Sequence, residues 1–227
     1  MRHPLLATLL VVASIASTTA VAADLKTDED KAFYALGAAV ARQVAGFDLS
    51  AAELEKVKAG FSDVALHKKT QLEPSDYFPK LQELQTTRLA AAAAVEKKAG
   101  EEYLAKAAAA PGATKTASGL IYTVIKEGTG ATPKATDNVK VHYHGTLPNG
   151  KVFDSSVERK EPATFPLNGV IPCWTEGVQL MKVGGKSHFV CPSDIAYGDR
   201  GSPPDIRPGS TLIFDVELLA IENPPQQ

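Results

Sequence analysis

The chain has 227 residues, a formal charge of −2 at neutral pH and 44% hydrophobic residues. This length suits one large domain or two small ones, and the composition is ordinary for a soluble protein. The slightly acidic balance argues against a nucleic-acid-binding protein, because such proteins attract phosphate groups with a basic surface.

Residues 1–23 have the pattern of a cleavable secretory signal peptide. Arg2 gives a short positive start, Leu5 to Ile15 is largely apolar, and Val21-Ala22-Ala23 forms a small-residue cleavage site. The apolar stretch is shorter than the roughly 20 residues of a membrane-spanning helix. We therefore expect a periplasmic or secreted protein without a stable membrane anchor after cleavage. An uncleaved N-terminal anchor is the alternative.

Residues 24–78 are predicted to form a helical dimerisation segment. Apolar residues recur every three or four positions from Phe33 to Phe47, and again from Leu54 to Val64. Ser50 and Glu53 form a capping-box pattern at the start of the second helix. Two short helices with one apolar stripe each make a poor core by themselves, so we expect a homodimer. Burial of the stripes against the C-terminal domain is the alternative.

Residues 79–111 are predicted to form a long linker helix from near Pro79 to near Ala109. At 1.5 Å per residue it would be roughly 45 Å long. Its C-terminal half is rich in alanine and offers little apolar bulk, which favours an exposed spacer. Low-complexity disorder is the alternative, although alanine strongly favours a helix.

Residues 112–222 change to a β-rich pattern, and residues 223–227 form a short tail. Pro148-Asn149-Gly150 predicts a tight turn, and Trp174 to Met181 predicts one short helix. The predicted strands are Leu120 to Ile125, Asn138 to His144 and Thr211 to Leu219. The pattern indicates an antiparallel α+β domain.

Cys173 and Cys191 are the two cysteines of the chain. An oxidising compartment outside the cytoplasm would allow them to form a disulfide bond. The alternative is a pair of small buried thiols that pack as apolar side chains. The sequence leaves both open.

The sequence offers little for metal or nucleophilic chemistry. His142 and His144 lie on one face of a predicted strand, but no third ligand follows at a recognisable spacing, so we expect no metal site. A Ser/His/Asp set and a glycine-rich phosphate loop are also missing from the pattern. We expect no cofactor.

Five segments of the C-terminal region resemble the FK506-binding-protein (FKBP) family of peptidyl-prolyl isomerases. In family order they are Val141 to Gly145, Lys151 to Ser156, Val170 to Gly177, Pro192 to Gly198 and Thr211 to Leu219. The N-terminal helices resemble, by layout, the dimerising segment of macrophage-infectivity-potentiator-like and FkpA-type members. The resemblance implies a twisted antiparallel sheet wrapped on one short helix, preceded by an all-α dimerisation segment and a long linker helix.

The resemblance also implies a proline-binding pocket floored by Trp174. Tyr197 would place a hydroxyl near a substrate carbonyl, and Asp154 would place a carboxylate beside Tyr143 and Arg159. Ile206 would close the rim, and Phe165 would pack beneath the pocket. The walls would be formed by Tyr143, Phe153, Val170, Ile171 and Phe214.

Three positions depart from the family pattern. Ala163 stands where many members have phenylalanine, Cys173 replaces a common glycine, and Ser202 occupies a loop position where small members have histidine. Binding of macrolide inhibitors such as FK506 or rapamycin is expected, and these departures bear on its affinity and on sequence preference.

The expected activity is rotation of X–Pro bonds in unfolded or folding polypeptides. An amide barrier of about 18–20 kcal/mol is lowered by removing water and by fitting the twisted amide, so no nucleophile is needed. Asp154 would orient its neighbours and would not take a proton. A dimeric chaperone whose pocket only binds proline segments is the alternative, and a host-interaction factor is a third hypothesis by analogy.

Overall fold

A computed structural model describes residues 24–222 of the chain. The predicted signal peptide and the short tail lie outside the described residues. Within the described residues the chain divides after Val40 into two compact units, residues 24–40 and 41–222. Within residues 24–222, no helix is both long enough and apolar enough to cross a membrane.

The first unit contains most of helix α1 (Asp28–Gln43), which begins with acidic residues and carries Arg42 in its last turn. This charge order suits the helix dipole. The predicted apolar stripe is present but unburied: Phe33 is 65% exposed and Leu36 is 58% exposed. The described part of the chain therefore leaves this stripe without a cover.

Helix α2 (Ala51–Ala65) follows a short 3-10 turn, Ala45–Phe47. The predicted capping box is confirmed, since the Ser50 hydroxyl accepts from the Glu53 N–H and the Glu53 carboxylate accepts from the Ser50 N–H. Arg88 pairs with Glu53, and with the Ser50 bonds it lowers the pKa of Glu53 to about 2. Arg88 also donates to the Phe47 carbonyl at 2.6 Å.

Helix α3 (Phe78–Ala108) confirms the predicted long helix. The expectation of an exposed spacer is wrong for its C-terminal half, where Ala93 and Gly100 are buried. A Cβ atom on Gly100 would lie 2.3 Å from the Thr211 Oγ1 atom, so only glycine allows this approach. A Cβ atom on Gly209 would likewise lie too close to the backbone of Ala93.

This half of α3 covers one face of the C-terminal sheet. Tyr103, Leu104 and Ala107 pack against a buried cluster of Ile121, Val190 and Ile213. Small residues bury little area themselves, but they bring the helix close enough for these larger neighbours to exclude water. The helix is therefore part of the domain that it was expected only to connect.

The C-terminal domain is an antiparallel sheet of seven strands in the order β1-β2-β6-β7-β3-β4, with β5 also paired to β3. Strand β7 pairs with β3 over one edge and with β6 over the other. The strands are β1 (Ala113–Lys115), β2 (Ile121–Lys126), β3 (Asn138–Thr146), β4 (Val152–Ser155), β5 (Ala163–Pro166), β6 (Lys186–Cys191) and β7 (Leu212–Glu222). The predicted α+β class is confirmed.

Two short helices interrupt the strands, α4 (Ser156–Arg159) and α5 (Pro172–Gln179). Helix α5 is the predicted short helix, and its buried residues join the main core. A Cβ atom on Gly177 would lie 2.9 Å from the Phe189 ring, so this glycine lets α5 lie close to the sheet. Because Trp174 lies on the same helix, this close packing also keeps its side chain buried.

Candidate active site

One cavity of about 500 Å³ opens beside α5. Strands β3, β4, β5 and β7 supply side chains to it, and so do the N-terminal end of α5 and the segment after β6. The lining residues are Tyr143, Phe153, Asp154, Phe165, Gly169, Val170, Ile171, Trp174, Tyr197 and Phe214. Gly169 is the one that the sequence patterns did not indicate.

Aromatic rings meet edge to face at the floor of the cavity. The Trp174 indole is 4% exposed and lies with ring centroids 5.3 Å from both Tyr143 and Phe214. Phe165, expected beneath the pocket, both lines the cavity and contacts the indole at 5.9 Å. Such T-shaped pairs present the positive edge of one ring to the negative face of another. The floor is therefore apolar and geometrically fixed.

The Trp174 Nε1–H is buried without a nitrogen or oxygen partner among the described residues. A buried donor of this kind costs free energy unless it meets a π face or a polar partner. Here the aromatic rings around the indole leave the floor free of polar contacts. The surroundings of the cavity are thus much less polar than water.

One carboxylate group borders this apolar floor. Asp154 accepts hydrogen bonds from the Tyr143 hydroxyl and from Arg159, and the Arg159 Nη2 atom donates to the same hydroxyl at 2.8 Å. Burial alone raises the pKa of Asp154, but the bonds from Tyr143 and Arg159 outweigh it and the pKa lies below its ordinary value. The carboxylate is therefore a fixed anion at neutral pH.

Tyr197 lines the cavity and is 41% exposed. Burial raises the pKa of Tyr197, and the negative charge of Asp154 raises it further. The hydroxyl therefore keeps its proton near neutral pH and can donate a hydrogen bond to a carbonyl group.

Two predicted site residues do not line the cavity. Arg159 stands behind Asp154 and borders an adjoining shallow groove instead. Ile206, expected at the rim, is buried in the main core, and its backbone pairs with Ser202 at 2.8 and 3.0 Å. The loop folds back on itself at this pair, and Ile206 is packed in the same buried cluster as Trp174 without lining the cavity.

Cys173 and Cys191 lie together under the pocket. Both are fully buried, their sulfur atoms are at bonding distance, and their Cα atoms are 5.9 Å apart, a usual separation for a disulfide. Cys173 is adjacent to Trp174 on α5, and Cys191 ends β6. A bond between them would tie the tryptophan-bearing helix to the centre of the sheet.

The histidines of β3 make local hydrogen bonds. The Nδ1 atoms of His142 and His144 lie 3.1 and 3.0 Å from the hydroxyls of Ser156 and Ser155. Over residues 24–222, no group of three or more histidine, cysteine or acidic side chains is placed to hold a metal ion. The buried Ser156 hydroxyl also accepts from the Tyr143 N–H at 2.8 Å, and so fixes the strand that carries the pocket tyrosine.

Activity is expected to be flat from about pH 5 to 8 and to fall only in stronger acid. The pKa of Asp154 in the folded protein lies below 3.8, its ordinary value. The carboxylate is therefore ionised throughout the neutral range, and its contribution is lost only as the pH falls through this lowered pKa. A pH profile of kcat/KM measures this, with Asp154→Asn as the variant that lacks the acid limb. A loss of activity near pH 7 would contradict the orienting role.

Comparison with known proteins gives two family matches. Residues 130–219 match the model described as FKBP-type peptidyl-prolyl cis-trans isomerase, and residues 29–124 match the domain amino terminal to it. The chain is 46% identical to FkpA of Aeromonas hydrophila over 89% of its length and 80% of that protein. It is 38% identical to the outer membrane protein MIP of Legionella longbeachae, over 93% of its length and 95% of that protein.

A solved structure of one family member is also similar to this chain. The crystal structure of FkpA from Escherichia coli superposes with a TM-score of 0.63 at 36% identity. It covers 89% of this chain and 100% of the solved chain. The likeness therefore extends over the helical segment and the sheet together.

Proposed function

This chain belongs to the family of FKBP-type peptidyl-prolyl cis-trans isomerases, and from that membership we propose that it rotates X–Pro bonds at the cavity floored by Trp174. The observation that carries the assignment of the site is the apolar aromatic floor bordered by a single paired carboxylate. A proline ring fits such a floor, and a charged metabolite does not.

The chemistry requires no bond to be made or broken. Rotation about the X–Pro bond removes amide resonance, and the carbonyl of the twisted amide is less polar than that of the planar amide. A cavity that removes water therefore stabilises the twisted form relative to the planar one. Only this difference in binding accelerates the reaction, at about tenfold for every 1.36 kcal/mol.

Two polar residues beside the floor would have different roles. The protonated Tyr197 hydroxyl would donate to the carbonyl group next to the proline. Asp154 would hold Tyr143 and Arg159 in place, since the carboxylate already accepts from both of them. A carboxylate engaged in this way and with a lowered pKa is a poor general base at neutral pH.

Replacing Tyr197 by phenylalanine is expected to lower kcat/KM by about fivefold, because one neutral hydrogen bond to the substrate is lost. The measurement is an isomerisation assay on a proline peptide with the mature chain, residues 24–227. Tyr77→Phe is the matched control, because Tyr77 is an exposed tyrosine outside the cavity. A folded mature chain without any acceleration of isomerisation would overturn the proposed function.

The exposed stripes on the helices favour a homodimer. Phe33 on α1 and Phe61 on α2 are 65% and 56% exposed, and neither helix has a buried residue. Apolar faces of this kind usually mark an interface between molecules. We infer that a second copy of the chain covers them.

The mature protein is therefore expected to sediment as a dimer, and the double variant Phe33→Glu/Phe61→Glu as a monomer. Val95→Glu is the control, since Val95 on α3 is equally exposed, at 66%, and lies outside these stripes. A monomeric wild-type protein, or a double variant that stays dimeric, would contradict this interface.

A second candidate function is the holding of unfolded chains by the helical segment, which exposes further apolar side chains outside the two stripes, such as Leu72 and Phe78. An isomerase-deficient Asp154→Ala protein that still suppresses aggregation of a denatured client would support a chaperone activity of the helices. Loss of that suppression together with isomerase activity would assign both effects to the pocket.

We also propose that the protein is exported and that its cysteines are oxidised there. The signal-peptide pattern of residues 1–23 and the close approach of Cys173 and Cys191 support this. Proline-containing polypeptides are the proposed substrates. Macrolides such as FK506 or rapamycin are the proposed pocket ligands, and competition in the isomerase assay tests them.

A further inference from the structure

Residues 192–211, which connect β6 to β7, form a loop that carries Tyr197; we call this segment the Tyr197 loop. Backbone hydrogen bonds connect parts of this loop: the Gly209 N–H donates to the Gly198 carbonyl at 2.9 Å, and the Gly201 N–H donates to the Tyr197 carbonyl at 3.1 Å. The position of the Tyr197 hydroxyl therefore depends on what holds the loop as a whole.

A single lysine of α3 spans the turn that contains Tyr197. The Lys97 Nζ atom lies 3.0 Å from an oxygen of Asp194 and 2.7 Å from an oxygen of Asp199. These two residues flank Tyr197 on its two sides. The hydrogen bonds to Asp199 and then to Asp194 raise the pKa of Lys97, so the ammonium stays charged at all ordinary pH values.

Two further residues of the loop, Arg207 and Gly209, contact the same face of α3. Gly209 meets the backbone of Ala93, where a Cβ atom would lie 2.4 Å from the Ala93 carbonyl oxygen. Arg207 pairs with Glu96 at 3.2 Å. Together with Lys97 these α3 positions follow the three-and-four spacing of one helix face. Helix α3 therefore contacts the Tyr197 loop at two places, near Asp199 and again near Arg207.

An isolated ion pair on a protein surface contributes little. The Lys97 ammonium differs in two respects, because two carboxylates share it and because its helix is anchored by the buried Ala93 and Gly100. Lys97 itself does not line the aromatic cavity. Any effect on catalysis must therefore pass through the loop.

We propose that Lys97 is a positioning residue of the isomerase: by bridging Asp194 and Asp199 it holds the turn that presents the Tyr197 hydroxyl to the substrate. The linker helix is then a structural part of the active site. This inference rests on the proposed role of Tyr197 in binding the substrate carbonyl.

Lys97→Met in the mature chain is expected to lower kcat/KM on a proline peptide by about threefold at low salt, with a thermal midpoint close to that of the wild type. Lys98→Met is the matched control, the same change one position along at an exposed site, and should leave kcat/KM unchanged. Lys97→Arg should restore most of the activity, since arginine can also bridge two carboxylates.

Salt and spectroscopy separate positioning from a general loss of stability. In about 1 M NaCl the wild type should fall towards Lys97→Met, because ion pairs are screened over a few ångströms at that concentration. With 3-fluorotyrosine incorporated, the resonance that Tyr197→Phe removes should broaden or shift in Lys97→Met and not in Lys98→Met.

Two outcomes would overturn the inference, and they are distinguishable. If Tyr197→Phe loses activity while Lys97→Met matches the wild type in kcat/KM and in the fluorine spectrum, the loop is held without Lys97. If Tyr197→Phe itself keeps full activity, the proposed role of Tyr197 fails, and the inference fails with it.

Discussion

Replacing Asp154 by alanine is expected to lower kcat/KM for a proline peptide by about tenfold while the protein stays folded. The carboxylate holds both the Tyr143 hydroxyl and Arg159 at the edge of the cavity. A hydrogen bond to a charged group contributes about 1.5–3 kcal/mol, and each 1.36 kcal/mol corresponds to tenfold in rate. We take the low end, because the Asp154 and Arg159 side chains are about half exposed and water screens them.

Glu222→Ala is the control for this experiment. Glu222 pairs with Lys140 at 3.5 Å, is similarly exposed and does not line the aromatic cavity. Its loss should leave kcat/KM within about twofold of the wild type. Equal activity of Asp154→Ala and Glu222→Ala, with unchanged circular dichroism, would show that the carboxylate does not organise the site.

Removing the link between Cys173 and Cys191 is expected to lower the free energy of unfolding by about 3 kcal/mol. The two residues are 18 positions apart, and a closed loop of that length restricts the unfolded chain by an amount of this order. Denaturant titration of the exported protein, with and without reductant, measures the effect. The fluorescence of Trp174, the one tryptophan of the chain, reports unfolding next to the link.

The double variant Cys173→Ala/Cys191→Ala is the control, and its titration should not respond to reductant. Mass spectrometry after alkylation under denaturing conditions tests the premise directly. If both thiols of the exported, unreduced protein are alkylated, the cysteines are the pair of buried thiols that the sequence also allowed, and the disulfide proposal is wrong.

Local patterns predicted the elements whose signals lie within a few residues. The capping box at Ser50 and the β-rich runs around β2, β3 and β7 needed no long-range information. Strand β6 was not predicted, although it lies between β2 and β7, because its place depends on partners far away in sequence. Strand β5 has only four residues and ends in proline, so its pattern is too short to recognise.

The packing of α3 shows a different limit of sequence reasoning. Ala93 and Gly100 carry almost no apolar area, so hydrophobic periodicity gives no sign that they are buried. Their burial comes from close contact with Gly209 and Thr211 on the opposite surface. Small size, which the sequence analysis took as a reason for exposure, is here the condition for contact.

The residues of the candidate site that lie within family motifs could be predicted from the sequence. Residues whose position depends on the path of a loop could not. The family motifs indicated the residues around Trp174, which the structure brings to one cavity. Ile206 was expected at the rim, but it is buried in the main core and does not line the cavity. The contact of Lys97 with the Tyr197 loop joins residues about a hundred positions apart, and no local pattern carries that information.

The place of β7 in the sheet bears on how the protein is made. Strands β1, β2 and β6 form one half of the sheet and β3, β4 and β5 the other, and β7 is the strand that joins them. Since β7 is the last described strand, a growing chain on the ribosome cannot complete this sheet before residues 212–222 are synthesised. Non-local pairing of this kind also slows folding. If the protein is exported, as proposed above, this late completion of the sheet would keep the domain unfolded while the chain is being exported.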